Sequence, residues 1–166
     1  MRQLLLSVVL ALAACAPVNV PVAQAQEDMP IAAAEIAEVI GPCMRQARSR
    51  AEMEQCKRSV VTPCLREPAN ADSTMGLVGC YEREGIEWRS LLDIHVQLES
   101  EGPRAKQFIA AQAAWEAWLA AECNYQRADA TAGSGEQVAQ LGCDLDLTAD
   151  RVIALTLARR AGGSVY

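Results

Sequence analysis

The sequence predicts an all-α fold: an antiparallel three-helix bundle with an added N-terminal helical hairpin, stapled by three disulfides. Three observations point there. Strand signals are missing, with no alternating β-branched runs and no Asn-Gly turns. Apolar residues recur at steps of three and four along three long segments. Seven cysteines split into Cys15, near the N-terminus, and an even set of six: Cys43, Cys56, Cys64, Cys80, Cys123 and Cys143. In an exported chain, an even set reads as three bridges.

The N-terminal element, residues 1–25, reads as an export signal. Arg2 supplies its positive end, and residues 4–14 form an apolar run too short to span a bilayer. Two processing routes compete. Leu12-Ala13-Ala14-Cys15 resembles a bacterial lipobox, which predicts cleavage before Cys15 and lipid on its thiol. Pro17, Pro21 and Pro30 would then lie in a tether. Ala23-Gln24-Ala25 is instead a small-x-small site that would release a soluble chain starting at Gln26. Either route places the protein in the periplasm, free or lipid-anchored to the outer membrane, and removes Cys15 from the thiol pool.

The helices follow in order within one domain, residues 31–160. The first is predicted over residues 32–48. Ser49-Arg50-Ala51-Glu52 fits a capping box that opens a second helix to about residue 65. Residues 66–72, with Pro68, read as a loop. Ser73 caps a third helix to about residue 101, where Gly102-Pro103 ends it. Its apolar stripe is Tyr81, Trp88, Leu92 and Val96. The fourth helix, residues 104–126, carries Phe108, Ala111, Trp115, Trp118 and Glu122 at steps of 3, 4, 3 and 4. Ser134-Gly135-Glu136-Gln137 reads as a second capping box. The fifth helix continues to about residue 160 on one stripe of Val138, Leu141, Leu145, Thr148, Val152 and Leu155. Three such stripes joined by short loops make a bundle.

Helix geometry favours pairing the cysteines in sequence order. Cys43 and Cys56 are nearly equidistant from the turn at Ser49. Cys64 and Cys80 bracket the loop at residues 66–72, and Cys123 and Cys143 bracket the loop at Ser134. Six cysteines allow 15 connectivities, so the other pairings stay open. A zinc site is the rival, but there is no Cys-x-x-Cys and a single histidine, and no cofactor is expected.

Charge narrows the function classes. The chain carries 15 Lys+Arg and 21 Asp+Glu, a net charge of −6. Loss of the leader removes Arg2 alone, leaving 14 against 21 and a net −7. That excludes a basic nucleic-acid footprint and favours cationic partners.

Residues 64–157 resemble the LprI-like lysozyme-inhibitor domain, a small exported helical module of bacteria. Met75 and Cys80 are followed by Glu84, and Trp88 by Arg89 where the pattern has Asp. Leu92 matches, Asp93 replaces Asn, and Val96 replaces Tyr. Ala111-Gln112-Ala113-Ala114-Trp115 fits the Ala-Gln-x-Ala-Trp element. Leu119 and Ala120 stand in place of Arg-Asp before Cys123. Ala132-Gly133-Ser134 nearly keeps a Gly-Gly-Ser turn, and Cys143, Thr148, Arg151 and Leu155 complete the tail. The segment holding Cys43 and Cys56 is an addition to that module. The resemblance implies an envelope location and a non-enzymatic role, binding and inhibiting lysozyme. The partner would be a cationic lysozyme or another cell-envelope component, with a membrane met only through a lipid anchor. A structural or stress-related envelope module without inhibitory activity is the alternative. Glu82, Glu87, Asp93 and Glu116 are expected to contribute to an acidic, exposed binding face.

Other residues invite chemistry but read more simply as structure. His95, the sole histidine, leaves no spare parts for a nucleophilic site. Asp144, Asp146 and Asp150 resemble a cation cluster but lie on a helix without a glycine-turned loop. Glu84 and Glu87, one turn apart, suggest paired glycosidase carboxylates, against the plainer reading of a solvated face. Trp88, Trp115 and Trp118 could line a groove, but at helical spacing they read as core. Arg151, inside an apolar stripe, needs a partner, and Glu84 or Glu122 is expected to supply the carboxylate.

Overall fold

A computed structural model describes residues 37–128, 130 and 133–162. The leader, Cys15 and the first residues of the predicted first helix lie outside the described residues. Seven helices and no strand occur among the described residues: α1 (Ile40–Gln46), α2 (Arg50–Glu54), α3 (Val61–Cys64), α4 (Pro68–Ala71), α5 (Thr74–Ser100), α6 (Ala105–Ala128) and α7 (Ser134–Ala161). None of them is long and apolar enough to cross a membrane.

Local chemistry sets most boundaries. Ser73 Oγ accepts from the Gly76 amide at 2.9 Å and opens α5. Ser49 Oγ accepts from the Glu52 amide at 3.2 Å, and Glu52 reaches back to the Arg48 amide at 2.6 Å. The expected box at Ser134 is corrected. Gly133 is the N-cap of α7, at φ +86°, and no side chain caps that end. Glycine suits that left-handed backbone because it has no Cβ. Gly76 is required for a different reason: a Cβ there would lie 2.5 Å from the Asn70 backbone, where α4 crosses the first turn of α5.

The second predicted helix is also corrected: it is broken into α2 and α3. Between them Arg58 adopts φ +66°, a left-handed conformation that no continuous helix contains. Pro63 is tolerated because it falls in the first turn of α3, where amides have no intrahelical acceptor.

All six cysteines pair in sequence order: Cys43–Cys56, Cys64–Cys80 and Cys123–Cys143, with Cα separations of 5.8, 5.7 and 5.5 Å. Each closes a loop worth about 3 kcal/mol on the chain-entropy account.

The long helices run up, down and up. Along α5 and α7, contacts advance together: His95 meets Thr156, and Glu99 meets Arg159. Along α6 and α7 they run in opposition, from Cys123–Cys143 to Gln112–Arg151. The core lies between α5, α7 and the N-terminal segments. Trp88, Leu145, Val152 and Ile153 pack there with Ile40, Met44, Met53 and Val61. Arg160 fastens the end of α1 by donating to the carbonyls of Met44 and Ala47.

The expected stripe of α6 is corrected too. Gln112 and Cys123 are its buried residues, with Phe108, Trp115 and Leu119 half-buried on the same side. Ala111 is exposed, and Trp118 is 49% exposed. The inward face is therefore rotated by about one residue from the most hydrophobic line.

Candidate functional site

Two carboxylates project from α5 into the interior. Glu84 is fully buried and Glu87 is 7% exposed, so the solvated-face reading of this pair is overturned. Glu84 Oε1 accepts from the Arg58 amide at 2.6 Å and from Trp88 Nε1 at 3.2 Å. Its Oε2 accepts from the amides of Val60 and Val61 at 3.1 and 2.8 Å. Glu87 Oε2 accepts from the amides of Val39 and Ile40 at 3.1 and 2.7 Å. Each carboxylate thus caps the start of a short helix, α3 and α1 respectively, supplying negative charge where orphan amides converge. These are anchoring contacts: both oxygens of Glu84 and Oε2 of Glu87 accept from the chain itself. They also explain the break at Arg58, because Glu84 takes amides that a continuing helix would have bonded to its own carbonyls.

Arg151 finds partners other than those expected. Its Nε and Nη2 both donate to Gln112 Oε1, at 3.1 and 3.0 Å, and the guanidinium lies 5.6 Å from the Trp115 ring centroid. Burial pulls the Arg151 pKa down from its ordinary value. Glu84 is committed to the amides, and Glu122 accepts from Gln126 on its own helix, so neither meets Arg151. A neutral amide and an aromatic face replace the expected carboxylate.

Of the four acids expected on a binding face, Glu82, Asp93 and Glu116 are exposed. Glu87 is not, and its assignment to that face is corrected: its charge is spent on α1. Glu82 and Asp93 share the outer side of α5, eleven residues and so roughly 16 Å apart along the axis. Glu116 sits on α6 and accepts from Gln112 Nε2 at 3.1 Å.

The aspartates of α7 hold the N-terminal segment. Asp146 pairs with Arg58 at 2.8 Å, and Asp150 pairs with Lys57, which also meets Glu54. Burial works against the Lys57 charge, but its hydrogen bonds to Asp150 and Glu54 outweigh that and raise its pKa. Asp144 accepts from Gln140. Among the described residues, no group of three or more His, Cys, Asp or Glu is arranged to hold a metal ion.

Sequence reasoning missed Gln112 as a partner of Arg151. The signal was present in the Ala-Gln-x-Ala-Trp element, which places Gln112 and Trp115 one turn apart on one face.

Cys80, Glu84, Trp88, Gln112, Cys123 and Cys143, all buried, and Trp115 and Arg151, half-buried, are among the positions at which the chain follows the module's pattern. No curated protein and no solved structure matches the chain. A family model does match, that of "Lysozyme inhibitor LprI", over residues 64–155. The match covers more than half of the sequence and takes in α5, α6, nearly all of α7 and two of the three bridges, so the chain belongs to the LprI lysozyme-inhibitor family.

Proposed function

We propose that this protein is a non-enzymatic binding protein of the bacterial envelope that inhibits lysozyme through an acidic, solvent-facing surface. The observation that carries the reading is the family match over residues 64–155. Of the motif residues within it, Cys80, Glu84, Trp88, Gln112, Cys123 and Cys143 are buried and carry the fold, and contact with a partner falls to exposed side chains. Glu82 and Asp93 on α5 and Glu116 on α6 are the acids proposed for that role. They suit a cationic enzyme, since complementary charge steers encounter and selects partners. The leader would deliver the chain to the periplasm, free or held to the outer membrane through Cys15.

The test is a lysozyme-activity titration with the purified, fully oxidised protein at low salt. Inhibition that saturates at a fixed molar ratio is expected. Lysozyme activity unchanged at large excess would defeat the inhibitor reading and leave a structural or stress-related envelope module as the better account.

A further inference from the structure

A cavity of about 450 Å³ opens between α1, α5 and α7. Its size falls in the range of small-molecule sites. Met44, Leu91, Leu98 and Val152 make its walls apolar. Its mouth is cationic, although the chain as a whole carries a net −6: Arg45, Arg159 and Arg160 all line it. Arg160 is engaged by the carbonyls of Met44 and Ala47, and Arg159 pairs with Glu99 at 3.1 Å. Arg45 is exposed and has no ion pair or hydrogen-bond partner among the described residues. In the polar part of the wall His95 Nε2 lies 3.0 Å from Thr156 Oγ1, and its buried Nδ1 has no hydrogen-bond partner among the described residues. Burial, and then the charge of Arg159, lower the His95 pKa, so the imidazole adds no cation of its own at neutral pH.

We propose that this cavity binds the alkyl chain of a free, single-chain amphiphile whose anionic head lies against Arg45. An apolar hollow of this size takes one chain out of water, and the unengaged guanidinium at its mouth selects a negative head over a neutral or positive one. A bilayer is a poorer fit, because membrane docking uses a projecting apolar face and this one is concave.

The probe is laurate, added below its micelle concentration to the full oxidised chain labelled with nitrogen-15. Saturable, one-to-one shifts are expected at the amides of Gly41, Leu98 and Val152. Arg45→Glu should weaken laurate at least tenfold and change dodecanol by less than twofold. Leu98→Glu, at a site already 45% exposed, should weaken both tenfold. The proposal is overturned if those amides do not shift, if dodecyltrimethylammonium binds as tightly as laurate, or if Arg45→Glu binds laurate like the parent. Shifts seen only with phosphatidylglycerol vesicles would also overturn it, as membrane association.

Discussion

Glu84 does at one residue what a capping side chain does at the end of a helix, but from another helix and from inside the core. Its two oxygens accept four hydrogen bonds, three of them from backbone amides. Glu84→Gln keeps the shape but turns one acceptor into a donor facing amide hydrogens. It should cost about 3 kcal/mol in denaturant unfolding of the oxidised protein, since buried bonds to a charged group are worth about 1.5–3 kcal/mol each. Glu87→Gln, with two bonds, should cost about 1–2 kcal/mol on the same scale, and Glu82→Gln on the exposed face under about 0.5 kcal/mol. Equal effects from all three would refute the anchoring role. His95 carries a pH signature of its own. Burial holds its folded pKa below the ordinary 6.5, so the unfolded chain takes up the proton first as pH falls. The stability tied to the neutral ring is full above 6.5 and is lost as pH drops from there toward the folded value. His95→Gln should flatten that limb of the stability–pH curve, and an unaltered limb would show that the ring is not coupled to folding.

The long helices were legible in the sequence and the short ones were not, for a physical reason. Periodicity and capping are local signals, and Ser73, the Gly102-Pro103 break and the α7 stripe through Leu145, Thr148 and Val152 express them within a few residues. The split between α2 and α3 depends on Glu84, 23 or more residues further along the chain, and a glutamate within a helix reads locally as solvent-facing. The phase of α6 misled for a related reason: counting hydrophobicity selects Ala111 and Trp118, whereas a disulfide at Cys123 and the Arg151 contact at Gln112 turn a less apolar line inward. With so little of α6 buried, its attachment leans on that bridge. Replacing Cys123 and Cys143 together with serine should cost about 3 kcal/mol. Amide exchange should rise first at the C-terminal half of α6 and the start of α7. Uniform acceleration through α5 as well would mean that α6 is held by more than its bridge and its contact with Arg151.

At the scale of the whole molecule, polarity is divided between interior and surface. The acids serve two ends: Glu84, Glu87, Asp146 and Asp150 tie the N-terminal segments to α5 and α7, while Glu82, Asp93 and Glu116 remain exposed. Net charge and helical position did not reveal which acids stay exposed, because which acids are spent internally is decided by tertiary contacts. If inhibition runs through the exposed set, it should weaken as salt rises toward physiological strength, where screening acts over about 8 Å. Joint reversal to Glu82→Lys and Asp93→Lys should slow association with lysozyme by roughly tenfold while changing dissociation little. Stopped-flow binding at two ionic strengths separates the rates, and a salt-independent association rate would place the contact on another surface.

The order of the bridges bears on how the protein is made. Every cysteine of the six is joined to its neighbour in sequence, across separations of 13, 16 and 20 residues. A chain synthesised or threaded N-terminus first therefore presents each thiol's correct partner as the next one to emerge, and no bridge must wait for a distant segment or be undone to admit one. Thiol–disulfide shuffling is slow, on the order of minutes to hours unaided, so a pairing scheme that bypasses it shortens the exposed, unfolded interval. A thiol oxidase acting alone on the emerging chain should then suffice for the native set. Mass mapping after oxidation without an isomerase should recover the three neighbouring pairs, whereas a large Cys43–Cys64 or Cys56–Cys64 population would show that maturation depends on reshuffling after all.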